Sequence, residues 1–272
     1  MENHRIEIHP CFSHDAHSVY GRIHLPVAPK CNIKCNFCDR RFDCVNESRP
    51  GVTSNILSPD EAVKRLDKAV DENKMLRVVG IAGPGEPLYN RETFKTLRLV
   101  HDKYPDIMLC VSSNGLLVEK KLDELISCGV ETLTITINAV DLRSACLIYG
   151  NVFDGKEQHP EKAERIELFL KNQQTGLYQA CRSGLTVKIN TVLIPGINDD
   201  QIEKIASLGK AAGAAIMNIM PLIPCGDMTK MNRPSGEELH IARSIAGKFI
   251  PQFKLCRQCR ADACGIPGLE GR

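Results

Sequence analysis

Short runs of aliphatic and β-branched residues alternate along the chain with longer stretches whose apolar positions recur every three or four residues. This is the pattern of strands each followed by a crossover helix. The runs that read as strands are 22–28, 78–82, 108–112, 132–138, 186–193 and 215–222. The first helix is announced by Ser58-Pro59-Asp60-Glu61, which combines an N-cap serine, proline at the first helical position and a capping-box glutamate; Val63, Leu66 and Val70 then give it an apolar stripe. Further helices are predicted over 91–104, 118–128, 160–179, 200–212 and 236–249. Six strand-helix units predict an α/β fold, a partial TIM-type (β/α)6 barrel, in which strand ends and the loops after them build the functional site.

With 43% hydrophobic residues over 272 positions, the chain can bury a substantial core, and no linker, repeat or low-complexity tract divides it. A single domain over 1–272 is expected, with an N-terminal extension (1–21), the partial barrel (22–250) and a cysteine-rich tail (251–272). Thirty-five basic against thirty-three acidic residues leave a formal charge of +2, which gives no global pull toward nucleic acid or a membrane surface. The N-terminus lacks a basic-then-apolar leader and no stretch approaches a membrane span, so a cytoplasmic location and a small-molecule or protein partner are expected. Thirteen cysteines in a reducing compartment argue for metal rather than disulfides. Cys128, Cys146 and Cys181 fall in helical stretches and read as small buried hydrophobes, while Cys44 and Cys225 stay unassigned.

The chemistry concentrates after the first strand. Cys31-Asn32-Ile33-Lys34-Cys35-Asn36-Phe37-Cys38 places three thiolates close enough to grip three irons of a 4Fe-4S cubane, leaving the fourth iron open for a substrate amine and carboxylate. A structural zinc knot is the alternative, with Cys44 as the fourth ligand. Gly83-Pro84-Gly85-Glu86-Pro87 follows the second strand, where a glycine-rich edge exposes backbone acceptors and Glu86 can pair with an ammonium. Ser112, Ser113 and Asn114 end the third strand, Asn138 ends the fourth, and Lys188 and Asn190 lie on the fifth; all are candidates to hold a polar ligand. Asp39, Arg40, Arg41 and Glu47 lie near the triad as groups able to move protons, with none singled out.

The triad spacing, its aromatic Phe37 and the motif at Gly83 to Glu86 resemble the radical S-adenosylmethionine (SAM) superfamily. Within it, the blocks HPCFS-H, RIHLPVAPKCNIKCNFCDRRFDC and CRQCRADA resemble the NifB family. The resemblance implies SAM as cofactor, bound by Phe37, Gly83, Gly85, Glu86, Ser113, Asn114, Asn138, Lys188 and Asn190. It also implies three 4Fe-4S clusters: a SAM-cleaving one on Cys31, Cys35 and Cys38, one auxiliary cluster on Cys11, His24 and Cys110, and another on Cys256 and Cys259. The implied reaction builds the 8Fe-9S-C precursor of the nitrogenase cofactor, with SAM as carbide donor and as source of a 5'-deoxyadenosyl radical. The implied partners are an iron-sulfur cluster donor, a low-potential electron donor and a cofactor-accepting assembly protein. Cys264 departs from the family pattern and is either a spare ligand or a small hydrophobe. The chain's end at Gly271-Arg272 implies a form without the carrier-like domain of longer members. By this resemblance both chain ends are expected on one face, with the tail folded across the barrel mouth.

Overall fold

The computed structural model describes residues 2–46, 51–153, 161–256 and 258–269. In chain order the elements are α1 (Glu2–Ile8), β1 (Gly21–His24), β2 (Ile33–Cys35), α2 (Pro59–Glu72), β3 (Leu76–Ile81), α3 (Arg91–Lys103), β4 (Met108–Ser113), α4 (Val118–Ser127) and β5 (Val130–Thr136). They continue with α5 (Leu142–Ile148), β6 (Tyr149–Val152), α6 (Lys162–Arg182), β7 (Thr186–Leu193), α7 (Ile202–Ala212), β8 (Ile216–Pro221), α8 (Gly236–Ala246) and β9 (Cys264–Gly265). One seven-stranded sheet runs β8-β7-β5-β4-β3-β1-β9. Its first six strands are parallel in consecutive β-α order, and β9 joins the β1 edge antiparallel. The expected partial (β/α)6 barrel is therefore present.

Strand alternation separates two environments. Val79, Ile81, Leu109, Val111, Leu133, Ile135, Val187 and Ile189 belong to the main core with Leu66 of α2, Leu97 of α3, Leu177 of α6 and Ile205 of α7. The alternate positions Gly80, Cys110, Ser112, Thr134, Lys188 and Asn190 face the concave interior. A sheet filled only for packing carries bulky branched residues there. These smaller and polar residues leave room instead.

The capping box at Ser58 and Glu61 is formed as the sequence predicts. The first strand is shorter than 22–28, because Pro26 has no N–H to give the ladder; Leu25 still donates to Gly80 and Ala28 to Gly83, so the segment stays alongside β3 without regular pairing. The α6 helix begins at Lys162, and position 160 lies outside the described residues. The ribbon of β2 and β6, the short α5 and β9 are additions that the hydrophobic pattern does not announce. Phe12 of the N-terminal extension and Phe253 of the tail pack with Val78, Met108 and Ile216, residues at or near the starts of β3, β4 and β8. The two extensions thus close the N-terminal end of the barrel.

Candidate active site

The triad loop is pinned backbone to backbone against the loop after β3. Gly85 donates to the Ala28 carbonyl at 2.6 Å and Glu86 to the Lys30 carbonyl at 2.8 Å, while the Asn90 side chain holds Lys30 from both its N–H and its carbonyl. A β-carbon on Gly85 would stand 2.3 Å from the Lys30 oxygen, so only glycine permits this approach. On the other side, Asp227 donates its N–H to the Asn36 carbonyl at 2.6 Å and pairs with Lys34 at 2.6 Å, bringing the loop after β8 over the triad. Asn90 and Asp227 carry no motif signature, and the sequence gives no signal for either.

Cys31, Cys35 and Cys38 line one cavity with Gly85, Glu86, Ser113 and Asn114. Its empty volume of about 460 Å³ lies within the range of small-molecule sites, ~300–1,000 Å³. Glu86 is buried and its carboxylate accepts from Ser113 Oγ at 2.7 Å, the Asn114 N–H at 2.7 Å and the Leu88 N–H at 3.1 Å. Asn114 is fixed in turn by Asn32 and by Gln173, whose amide donates to the carbonyls of Asn114 and Thr136. Burial pushes the Cys31 thiol up to about 11, with Glu86 adding to the shift, and burial raises Cys35 and Cys38 as well. Cys44, which the sequence leaves open, lines the same cavity, and Asn46 Nδ2 bridges it to Cys35 at 3.6 and 4.0 Å. Among the described residues no group of three His, Cys, Asp or Glu side chains stands close enough to hold a single metal ion. Thiols spread around a cavity fit a cubane better than a lone ion.

Several residues expected to hold SAM lie elsewhere. Phe37 is packed in a core cluster with Ile33 and Tyr149, because its position on the loop turns it inward. Asn138 is fully buried and accepts from the Val192 N–H, a brace between strand ends. Gly83 bends the loop at φ 148° and Ala28 donates to its carbonyl, but it does not line the cavity. Lys188 and Asn190 face a second cavity instead, because strand alternation at the third and fifth positions of β7 turns both inward below the level of the triad. Asp39 and Arg41 pair with each other at the surface, and Glu47 lies outside the described residues.

The second cavity, with an empty volume of about 770 Å³, brings together Cys11, His24, Cys110, Cys256 and Cys259. Every auxiliary ligand implied by the resemblance meets here, from four separate stretches of chain. His24 Nδ1 lies 3.1 Å from the Arg260 carbonyl, and a β-carbon on Gly80 would press the imidazole at 2.8 Å, so glycine on β3 makes the ring's seat. The tail is anchored by the His24 N–H to the Ala263 carbonyl at 2.7 Å and by Arg22 to the Gly265 carbonyl at 2.9 Å; Arg22 also donates to Cys259 Sγ at 3.1 Å. The tail spans the opening between β8 and β1: Met217 of β8 donates to the Pro251 carbonyl and accepts from the Phe253 N–H, both at 2.8 Å, and β9 pairs with β1, so Cys256 and Cys259 lie on the stretch between the two strands. Val78 and Cys110 place the cavity it lines toward the strand starts, whereas the expectation had the tail across the mouth. Ala82 and Ser112 line both cavities, so the two abut inside the barrel. His9, His17 and Arg22 also line the second cavity, and the sequence assigns none of them a role. Cys264 is exposed on β9, whereas Cys128 is buried in the main core and Cys146 and Cys181 pack at core margins, in keeping with bland roles.

The curled parallel sheet with its triad loop is that of the radical SAM superfamily, whose family model matches residues 25–209. Streptococcus suis SuiB bound to S-adenosylmethionine shares the fold at TM-score 0.60 and 16% identity, covering 87% of this chain and 51% of that one. The chain is 44% identical over 266 residues to FeMo cofactor biosynthesis protein NifB of Chlorobaculum tepidum, covering 97% of this chain and 62% of that protein. Against the NifB of Methanocaldococcus infernus identity is 42%, covering 97% and 87%. On this likeness the chain belongs to the NifB family. It spans less than two thirds of the Chlorobaculum relative's length.

Proposed function

We propose that the chain is a radical SAM enzyme that fuses two 4Fe-4S units into the 8Fe-9S-C precursor of the nitrogenase cofactor, using SAM both as methyl donor and as radical source. The observation that carries this reading is the contiguity of the two cavities across Ala82 and Ser112, because carbon must pass from SAM to iron-sulfur substrate. Cys31, Cys35 and Cys38 would hold a 4Fe-4S cluster, which when bound would supply the electron for SAM cleavage. Glu86, held by Ser113 and Asn114, receives the methionyl ammonium, and Gly85 and Asn114 position the rest of the ligand. Below, Cys11, His24 and Cys110 hold one substrate cluster and Cys256 with Cys259 the other. So sparse a ligand set leaves irons unsaturated and open to remodelling. A cluster donor, a low-potential electron donor and an accepting assembly protein complete the cycle. No helix among the described residues is long and apolar enough to cross a membrane, and a cytoplasmic location is part of this reading.

The test is product analysis on reduced, anaerobically reconstituted protein given SAM. Both 5'-deoxyadenosine and S-adenosylhomocysteine are expected. Deoxyadenosine alone would make the chain a different radical enzyme, and neither product would make it a scaffold. Alanine at Cys31, Cys35 and Cys38 together should abolish deoxyadenosine while iron stays in the second cavity; cleavage that survives removes the triad's assignment.

A further inference from the structure

The second cavity is charged in a way its ligand set does not explain. Arg22 is fully buried and Lys188 is 6% exposed, and no aspartate or glutamate among the described residues lines the cavity. The Lys188 ammonium sits 4.9 Å from the Phe12 ring and 5.9 Å from that of Phe253, and it donates to the Cys11 carbonyl at 3.3 Å. Two buried cations without a carboxylate call for an anion.

His9 adds a third, more specific feature. Its ring is 2% exposed, tilted against Phe12 at 4.3 Å, and lines the cavity. Its Nδ1 accepts the Cys11 N–H at 3.1 Å, so in the neutral ring the proton resides on Nε2. That Nε2 is buried and has no hydrogen-bond partner among the described residues. A buried donor left unpaired is costly, and it is retained where a ligand completes it.

We propose that His9 is a positioning residue that donates its Nε2–H to a sulfide or ligating thiolate of the cluster bound beside Cys11, with Arg22 and Lys188 balancing the cluster's negative charge. His9 is thereby distinguished from His24, which offers a ring nitrogen to iron. An N–H donated to sulfur favours the reduced, more negative cluster and slows its loss. The inference rests on the cluster-holding role given to this cavity above, and the experiment separates the two.

In the full chain carrying alanine at Cys31, Cys35 and Cys38, the second cavity is loaded with ferrous iron and sulfide, and three quantities are read: midpoint potential, release of iron to a chelator, and nitrogen hyperfine coupling. His9→Phe, which keeps a ring but no donor, should lower the midpoint potential and release iron about tenfold faster. His9→Gln, which returns an N–H near the Nε2 position, should recover most of both. One strong nitrogen coupling, lost in His24→Ala and kept in both His9 variants, is expected throughout. A second strong coupling lost with His9 would make it a ligand and overturn the donor role. Unchanged potential and release in His9→Phe would overturn it as well. Should His9→Phe fail to fold, His9→Gln decides: release within about twofold of the parent supports the donor, and loss of loading or of a nitrogen coupling overturns it. If the parent loads no cluster at all, the cavity's assigned role falls, not the His9 inference alone.

Discussion

The two cavities abut, yet they are built in opposite ways. The triad side takes its thiols from eight consecutive positions, 31 to 38, and is positioned by backbone hydrogen bonds to neighbouring strand ends. The second cavity draws on the N-terminal extension, β1, β3, β4, β7 and the tail, and it exists only when both extensions are in place. Locality makes the first site robust to loss of distant segments, and convergence makes the second depend on long-range closure of the chain, whose entropy must be offset by specific anchors. A site that releases its contents gains from the second design, because loosening one anchor opens it without dismantling the barrel.

Changes aimed at one side should therefore spare the other. The largest separation is expected from a pair of glycines. Gly85→Ala sets a β-carbon against backbone atoms of Lys30, 2.3 and 2.6 Å away, and neither chain can yield without breaking the hydrogen bonds between the loops. We expect a stability loss of about 2–3 kcal/mol in urea denaturation and failure to hold the triad cluster, with iron in the second cavity retained. Gly80→Ala meets the movable His24 ring at 2.8 Å; a smaller loss, about 1–2 kcal/mol, should fall on the second cavity's iron instead. Equal loss from both cavities in either variant would end the claim of independence.

A smaller effect follows from the tail's anchor. Arg22→Met keeps length and apolar bulk but removes the donors to the Gly265 carbonyl and Cys259 Sγ. Stability should fall by only about 1–2 kcal/mol, because the freed carbonyl can reach water when β9 detaches. Iron loss from the second cavity should quicken severalfold while SAM cleavage at the triad persists. Hydrogen exchange at residues 264 and 265 measures the detachment directly; protection unchanged there would show that pairing with β1, not Arg22, holds the tail.

The same contrast explains what the sequence makes legible. Parallel strands announce themselves by apolar runs, and a cubane triad by spacing alone, since both are local properties. The second cavity's thiols lie up to 248 positions apart, from Cys11 to Cys259, and periodicity cannot join them; the family resemblance does. That resemblance transfers ligand identities but not depth. By sequence Lys188 and Asn190 read as SAM contacts because they lie on a strand that ends at the site, whereas β7 places them at its third and fifth positions, inside the barrel. Phe37 reads as a ligand contact from its neighbours in sequence and is a core residue by packing. His9 enters the sequence reading only as the first residue of the HPCFS-H block, with no role of its own, since its partnerless Nε2 is a property of three-dimensional burial.

The smallest effect tests whether the outer helices are neutral toward both cavities. Ser58 is exposed at the start of α2; its Oγ accepts the Glu61 N–H at 3.3 Å while Glu61 accepts the Ser58 N–H at 2.8 Å. Ser58→Ala should cost about 1 kcal/mol, a fall in melting temperature of roughly 2–4 °C. The hydrogen bonds from Ser58 hold the Glu61 carboxyl below the ordinary carboxylate range. A depressed folded-state pKa contributes stability that is present above the unfolded-state value and lost as pH falls through the folded one. The difference between the two proteins should accordingly stand at neutral pH and shrink in acid as Glu61 protonates, with iron content in both cavities unchanged. A route by which the cap could reach a cavity is Arg65, one turn beyond Glu61, which donates to the Asp262 carbonyl of the tail. If Ser58→Ala hastens iron loss from the second cavity alone, α2 is part of the tail's latch, and the convergent site extends one layer further out than its lining.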